Sequence, residues 1–206
     1  GAAMGFSVDM DGFDPVTVEG FIGAYGKYGA DKPEELTYLV SDATVAAVCD
    51  NYQYPDSTAV YDLERLDTDV PYDVFLSGAS PLITVESPLA ATDKELVVFR
   101  DSYASSLVPL LLGQYRKVTL VDIRYMVSGL VPQYVEFNDQ DVLFLYSTYI
   151  VNQSAMLRYQ NKYRSLIRSK PALVRSVLSE LAGRGVPAFD PYARGNGRRA
   201  GRPKKQ

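Results

Sequence analysis

The chain has 206 residues, of which 47% are hydrophobic and 22% are charged, with one cysteine, no histidine and no tryptophan. These values are ordinary for a globular protein with a sizeable core, and the length favours one domain with appendages. They exclude an internal disulfide, a Ser–His pair made by this chain alone, and a membrane-spanning segment, because no apolar run approaches about 18 residues. The first residues also lack the basic segment and apolar run of a signal peptide.

The acidic and basic residues are unevenly distributed. The formal net charge is −4, yet the chain from residue 157 onward contains thirteen Lys and Arg residues against two acidic ones. We interpret this asymmetry as an acidic folded body followed by a basic C-terminal region. The sixteen tyrosines are also unusual. Most are expected to be half-buried in a sheet, whereas exposed tyrosines suit contacts with carbohydrate or protein.

The first half of the chain gives weak secondary-structure signals. Residues 1–20 are predicted to be an irregular lead-in, and residues 21–29, with three glycines, a loop. Residues 41–49 fit a helix or a strand. The remaining short β-branched and apolar segments are predicted to be strands, at 36–40, 73–76 and 82–85. A turn, Ser77-Gly78-Ala79-Ser80-Pro81, separates the last two.

The second half begins with a clear strand–helix–strand pattern. Residues 95–99 and 117–121 are continuous apolar runs, as in strands buried on both faces of a parallel sheet. Between them, residues 103–115 have a helical apolar face that Pro109 should distort. The expected result is a right-handed βαβ unit.

Further elements are predicted after this unit, in chain order: a helix at 127–137, a strand at 141–146, helices at 152–170 and 171–183, and a disordered basic tail. The predicted fold is therefore a three-layer α/β domain with a mainly parallel sheet at residues 21–186, C-terminal helices included. A disordered basic tail follows at residues 187–206.

Ser102 is the candidate catalytic residue, because it follows a buried strand and opens a helix. Its hydroxyl should emerge where open α/β folds place ligands, beside backbone N–H groups that can stabilise an oxyanion. Arg124, just past the next parallel strand, should face the same crevice and orient substrate. Each residue also has a simpler interpretation: Asp101 or Ser102 as a helix cap, and Arg124 as an ion-pair partner of Asp101 or Asp122.

The order of several motifs resembles a known family. The stretches 98–125 (VFRDSYASSLVPLLLGQYRKVTLVDIRY) and 141–147 (DVLFLYS) are similar to the C-terminal part of the DHHW proteins. The upstream segments 21–39, 60–66 and 72–82 are similar to other blocks of that family. DHHW proteins are bacterial cell-envelope proteins of SGNH-hydrolase type, related to the alginate O-acetyltransferase proteins that acetylate exopolysaccharide.

This resemblance implies roles for particular residues. The family's nucleophile, the serine of an Asp-Ser-Tyr/Phe motif, matches Ser102 between Asp101 and Tyr103. Its Asp-x-Arg motif matches Asp122 and Arg124. The candidate substrate-binding residues are therefore Arg124, Asp101, Tyr103 and Asp122. The implied location is extracytoplasmic, in the cell envelope, and the implied partner is carbohydrate or an acylated polysaccharide.

The family's Asp-His-His-Trp motif, which supplies the catalytic base, is absent. Ala79 also replaces the asparagine of the family's Gly-Asn-x-Pro. Without a base, the serine hydroxyl is a weak nucleophile. Either the chain is part of a longer protein, or works with a partner, that supplies the histidine, or it is a non-catalytic relative that binds carbohydrate or another envelope component.

The sequence contains no His/Cys ligand cluster, phosphate-binding loop or dinucleotide fingerprint, so no metal or cofactor is predicted. The basic tail (GNGRRAGRPKK) resembles an AT-hook core, and binding of an anionic polymer is a third hypothesis. A solvated terminus is the simpler interpretation, and no nucleic-acid partner is expected.

Overall fold

Two apolar runs form the centre of the main sheet. The structure, a computed structural model, describes residues 10–23, 33–126 and 128–152. Strand β5 (Glu95–Arg100) pairs in parallel with β6 (Lys117–Val121), with Phe99 opposite Val121. Every residue of β5 after Glu95 is buried, as expected for a strand that is covered on both faces.

Three further strands complete this sheet. Strand β7 (Asp141–Leu145) pairs in parallel with β5, β4 (Leu82–Glu86) pairs antiparallel with β6, and β3 (Val48–Asn51) pairs antiparallel with β4. The strand order is β3-β4-β6-β5-β7. Consequently β3, β5, β6 and β7 run in the same direction and end at one edge, where β4 begins. We call this edge the carboxyl edge.

A separate two-stranded sheet precedes the main sheet. Strand β1 (Asp14–Phe21) pairs antiparallel with β2 (Glu34–Val40), and the register shifts between Val18 and Phe21, where Gly20 adopts φ +78°. The prediction of an irregular segment is therefore wrong for residues 14–20. These residues form a strand because they pair with β2, the next strand along the chain. The predicted strand at 36–40 is confirmed within β2.

The helices of the described residues are short. Helix α1 (Asp42–Ala46) begins at a capping box between Ser41 and Thr44, and the others are α2 (Val131–Tyr134) and α3 (Thr148–Asn152). The 3₁₀ helices are Met10–Gly12, Leu63–Asp67, Pro71–Val74, Ser102–Ala104, Val108–Leu111 and Ser128–Leu130. No helix in this part of the chain has the length and apolar composition needed to cross a membrane.

Several sequence predictions were wrong where local chemistry opposed them. Residues 71–74 form a 3₁₀ helix, which starts at Pro71, and not a strand at 73–76. The single helix predicted at 103–115 is two 3₁₀ helices, because Pro109 provides no N–H for a continuous α-helix. The helix predicted at 127–137 is limited to the 3₁₀ turn at 128–130 and α2. Residues 41–49, left open between helix and strand, contain both.

The sheet is mixed, and not mainly parallel as predicted. Two of its four ladders are parallel and two are antiparallel, because β4 enters the sheet beside β6 in the reverse direction. The strand predicted at 82–85 is confirmed as part of β4, but its pairing with β3 and β6 could not be predicted from local pattern. The helices predicted at 152–170 and 171–183 and the basic tail lie outside the described residues, except for Asn152, which ends α3.

The main core lies on one face of this sheet. Alternate residues of β4, β5 and β6 pack against the segment that connects β5 to β6, with Leu112 and Tyr115 fully buried. The members of this core are Ala43, Ala47, Cys49, Val60, Leu76, Ile83, Val85, Leu96, Val98, Ala104, Val108, Leu111, Leu112, Tyr115, Val118 and Leu120. Because side chains alternate along a strand, Arg100 and Asp122 follow on the same face at the carboxyl edge.

We expect Gly78→Ala to destabilise the protein. Gly78 has φ +95°, and an added Cβ would lie 2.5 Å from Cγ of Asp73. The left-handed strain alone should lower the free energy of unfolding by about 1–3 kcal/mol. Urea denaturation measures this loss. The matched control is Gly113→Ala, where an added Cβ meets nothing within 4 Å; equal losses in the two variants would contradict the prediction.

Candidate active site at the carboxyl edge

Residues that follow neighbouring parallel strands meet at the carboxyl edge. Because Phe99 pairs with Val121, the segment that begins with Asp101 leaves the sheet beside the segment that begins with Asp122. The turn before β4 reaches the same edge, where the amide of Asp122 donates to the carbonyl of Pro81 at 3.0 Å. The sheet register therefore brings together the two motifs that the sequence singled out.

Asp101 acts as a cap in this structure. Its carboxylate is buried and accepts hydrogen bonds from the amide of Tyr103 at 3.1 Å and from the amide of Ser147 at 2.7 Å. Its own amide donates to the carbonyl of Leu145 at 3.3 Å. Asp101 therefore joins the serine-bearing turn to the loop after β7, as its simpler interpretation proposed.

Ser102 begins a 3₁₀ turn and is partly exposed. Within the described part of the chain, its hydroxyl and its amide make no hydrogen bond. Its carbonyl accepts from the hydroxyl of Tyr72 and from the amide of Ser105, both at 3.1 Å. The backbone of the turn is thus held in place while the hydroxyl stays available.

The other amides of this turn are already engaged. Those of Tyr103, Ala104 and Ser105 donate to the carboxylate of Asp101, the carbonyl of Asp101 and the carbonyl of Ser102, respectively. The sequence predicted that the amides of a following helix would stabilise an oxyanion. In this structure the amide of Ser102 itself is the one donor of the turn without an acceptor among the described residues. Tyr103 places its side chain outward, 59% exposed, beside this amide in the chain.

Arg124 is pinned to Asp122 by a two-pronged ion pair. Its Nε lies 2.9 Å from Oδ1 and its Nη2 lies 2.6 Å from Oδ2 of a carboxylate that is fully buried. These hydrogen bonds raise the pKa of Arg124, so that the guanidinium is charged at any ordinary pH. The side chain remains 22% exposed, and Nη1 makes no hydrogen bond to the described residues. The ion-pair interpretation is thus correct, and it leaves one face of the cation available.

Arg100 is a charged residue of this edge that sequence reasoning missed. It is fully buried, and Nη1 donates to Oγ of Ser105 at 3.0 Å, but Nε and Nη2 have no hydrogen-bond partner among the described residues. Burial lowers its pKa, which the nearby negative charge of Asp122 opposes. The available signal was a cation at the end of an apolar strand, directly before Asp101-Ser102.

A second polar group lies around the turn before β4. Leu76 and Ser77 adopt left-handed φ values of 57° and 59°, and Oγ of Ser77 donates to the carboxylate of Asp62 at 2.9 Å. Burial opposes the ionisation of Asp62, but hydrogen bonds from Ser77, Arg65 and Ser57 outweigh it and lower its pKa. The strained backbone at Leu76 and Ser77 is therefore held by the hydrogen bond from Ser77 to the charged carboxylate of Asp62.

Asp73 behaves in the opposite way to Asp62. Its carboxyl packs against Gly78, and burial raises its pKa. The positive charges of Arg65 and Arg100 oppose this shift without reversing it. Two carboxylates therefore contact the turn before β4. The charged form is stabilised in Asp62 and destabilised in Asp73.

The fold defines a class of structurally related proteins. No family model and no curated protein matches the chain. Among solved structures, a DHHW family protein from Eubacterium siraeum DSM 15702 is similar with a TM-score of 0.55 at 20% identity. The match covers 72% of this chain and 53% of that protein. It confirms, at the level of the fold, the DHHW resemblance that the sequence motifs indicated.

Two structures of PatB1 from Bacillus cereus have the same fold. The structure with a sulfonyl adduct matches with a TM-score of 0.54 and 19% identity, over 71% of this chain and 50% of PatB1. The other matches with a TM-score of 0.52 and 18% identity, over 71% of this chain and 52% of PatB1. The chain thus spans about half the length of these solved structures.

We expect Asp122→Asn to lower the free energy of unfolding by about 3–5 kcal/mol, because it leaves buried positive charge uncompensated. The same substitution in an Arg100→Met background should cost less, since one of the two cations is then gone. A double-mutant cycle by urea denaturation measures this coupling. Strict additivity of the two substitutions would show that Arg100 does not depend on the charge of Asp122.

Asp62 and Asp73 should have opposite effects on the pH dependence of stability. The pKa of Asp62 lies below its ordinary value of 3.8, so its stabilisation is present at pH 7 and is lost as the pH falls below about 4. Asp62→Asn should therefore cost about 1–3 kcal/mol at pH 7 and much less at pH 3. The pKa of Asp73 is raised, so Asp73→Asn should increase stability at pH 7 and lose that gain toward pH 3. Parallel curves of unfolding free energy against pH for either variant and the wild type would contradict this.

Proposed function

We propose that the chain is the serine-bearing part of an SGNH-type esterase or O-acetyltransferase that acts on cell-envelope carbohydrate. A three-layer SGNH arrangement and an extracytoplasmic location are parts of this proposal. One observation carries it. The hydroxyl of Ser102, which makes no hydrogen bond to the described residues, lies at the carboxyl edge just after β5, the strand next to the one that leads to Asp122 and Arg124.

In this proposal, Ser102 attacks the carbonyl carbon of an ester, and the carbonyl oxygen becomes an oxyanion. The free amide of Ser102 is the donor best placed along the chain to stabilise that charge. Arg124 has unused N–H groups for an acyl oxygen or a sugar hydroxyl, and its bonds to Asp122 fix their direction. Collapse of the intermediate expels the sugar hydroxyl and leaves an acyl-serine, which water or a second sugar hydroxyl then cleaves.

The general base must come from outside this chain. None of the 206 residues is histidine, and the carboxylates of Asp101 and Asp122 already accept several hydrogen bonds each. Removal of the base costs a serine hydrolase on the order of a millionfold in rate. The chain alone is therefore proposed to be inactive, with histidine supplied by a further segment or a partner.

The comparison with PatB1 supports a nucleophile in this fold. One PatB1 structure contains a sulfonyl adduct. An adduct of this kind forms when a nucleophilic side chain attacks an activated sulfonyl group and displaces its leaving group. The same chemistry at Ser102 would require only that its proton be accepted by a base.

The first test supplies the missing base from solution. The chain is incubated with a fluorophosphonate probe, with and without imidazole, and peptide mass spectrometry quantifies the adduct on Ser102. We expect background labelling without imidazole and increased labelling with it, because imidazole can accept the hydroxyl proton. A longer natural form that contains histidine should react without imidazole.

Two substitutions control this test. Ser102→Ala should abolish the adduct, whereas Ser106→Ala, four residues further along the same segment, should retain it. Arg124→Gln should slow the reaction by about 10-fold or more, because it removes a charge-assisted donor. If Ser102 stays unlabelled with imidazole and also in a histidine-containing form, the esterase proposal fails.

The alternative function is a non-catalytic module that binds carbohydrate or another envelope component on the same fold. The absence of histidine and the presence of Ala79 at the family's asparagine position favour it. It predicts carbohydrate binding without any adduct at Ser102 under the conditions above.

A further inference from the structure

Five exposed tyrosines surround the carboxyl edge. Tyr52, Tyr103, Tyr125 and Tyr149 follow β3, β5, β6 and β7, and Tyr134 packs edge-on against Tyr52 with ring centroids 6.3 Å apart. Their exposed fractions lie between 50% and 63%. We call these five side chains the tyrosine rim. In residues 10–23, 33–126 and 128–152, no other aromatic side chain is exposed.

This distribution differs from that expected of incidental exposure. Single exposed apolar residues are common on any protein surface, and the aliphatic ones here are scattered, as Val45, Leu63 and Leu89 illustrate. Among the described residues, however, the exposed aromatic rings are confined to the edge that contains Ser102 and Arg124. Such rings offer a large contact area at low entropic cost, which is why tyrosine is enriched at binding surfaces. The rim therefore has the composition of a binding surface.

The geometry of the rim favours an extended ligand. Tyr52 follows β3 at one end of the sheet, and Tyr149 follows β7 at the other end. Four strand spacings separate these ends, which corresponds to roughly 19 Å. Polar loop residues such as Gln53, Ser147 and Thr148 are close to these tyrosines in the chain. A polysaccharide suits this alternation, because its sugar rings present apolar faces to aromatic rings and hydroxyls to polar groups.

The charge of the surface restricts the kind of polysaccharide. The described residues include 21 Asp and Glu but only six Lys and Arg, of which Arg100 is buried and Arg124 is paired with Asp122. Such an acidic body repels polyanions. We propose that the tyrosine rim binds an uncharged linear polysaccharide across the strand ends, with one sugar beside Ser102. The inference rests on the proposed function, since acyl transfer at Ser102 gives this position its purpose.

Affinity electrophoresis of the 206-residue chain tests the proposal. Native gels contain one of three uncharged polymers (hydroxyethyl cellulose, glycol chitin or glucomannan) or the polyanion alginate. We expect at least one uncharged polymer to retard the chain through the rim, whereas any retardation by alginate, which the basic C-terminal region can bind, should not depend on the rim tyrosines. Tyr52→Ala and Tyr103→Ala should each weaken the retardation by about 3- to 10-fold in apparent Kd. Because the chain lacks tryptophan, protection of tyrosine fluorescence from a neutral quencher such as acrylamide provides a second measurement.

The matched control is Leu89→Ala. Leu89 is 56% exposed and lies between the end of β4 and the start of β5, at the opposite edge of the sheet, so its substitution should leave retardation unchanged. The proposal is overturned if no uncharged polymer retards the chain, if Leu89→Ala weakens binding as much as Tyr52→Ala does, or if Tyr52→Ala and Tyr103→Ala weaken retardation by alginate more than retardation by the uncharged polymer.

The same gels separate this inference from the proposed chemistry. Ser102→Ala should be retarded as strongly as the wild type, because the rim and not the hydroxyl holds the polymer. If the polymer binds but Ser102 never forms an adduct, the rim stands and the esterase proposal fails. If Ser102 reacts but no uncharged polymer binds, the rim proposal fails and the chemistry stands.

Discussion

The pairing of β5 with β6 is the constraint on which the remaining features depend. A parallel ladder fixes both the register and the face of every side chain, so a slip of one residue would move every side chain of a strand to the opposite face of the sheet. The core residues Val98 and Leu120 thus also determine the positions of Arg100 and Asp122. The position of the candidate site is therefore a consequence of core packing and does not depend on the conformation of a separate loop.

Arg100 shows where this arrangement carries a cost. An apolar side chain would continue the core at this position, yet the structure buries a guanidinium with two nitrogens that have no hydrogen-bond partner in the described part of the chain. Charged groups in such surroundings oppose folding unless other contacts determine their position. Here the guanidinium of Arg100 donates a hydrogen bond to Ser105, one turn after Ser102, and is attracted by the negative charge of Asp122. Local conflicts of this kind concentrate at functional sites, which strengthens the case for this edge.

The sequence predicted the features that depend on local pattern. The apolar runs of β5, β6 and β7 and the strand breaks after them are visible as periodicity, and with them the position of Ser102 and Arg124 relative to the sheet. The order of the strands could not be predicted in this way. The antiparallel pairing of β4 with β6 depends on tertiary contacts, which leave no periodic pattern in the sequence. Arg100 was missed for the same reason. The electrostatic surroundings of its buried guanidinium include residues far along the chain, such as Tyr72 and Asp122.

Binding and chemistry place different demands on this edge, and the chain meets them unequally. The tyrosine rim, the pinned guanidinium of Arg124 and the held turn of Ser102 are all supplied by the chain itself. The proposed acyl transfer at Ser102 lacks a proton acceptor. The millionfold loss of rate that this absence causes in a serine hydrolase corresponds to on the order of 8 kcal/mol of transition-state stabilisation. The buried carboxylates of Asp101 and Asp122 are engaged as a cap and as an ion-pair partner, so the proton acceptor is proposed to come from outside the chain. An active enzyme and a binding module would therefore share this surface and differ by a single imidazole.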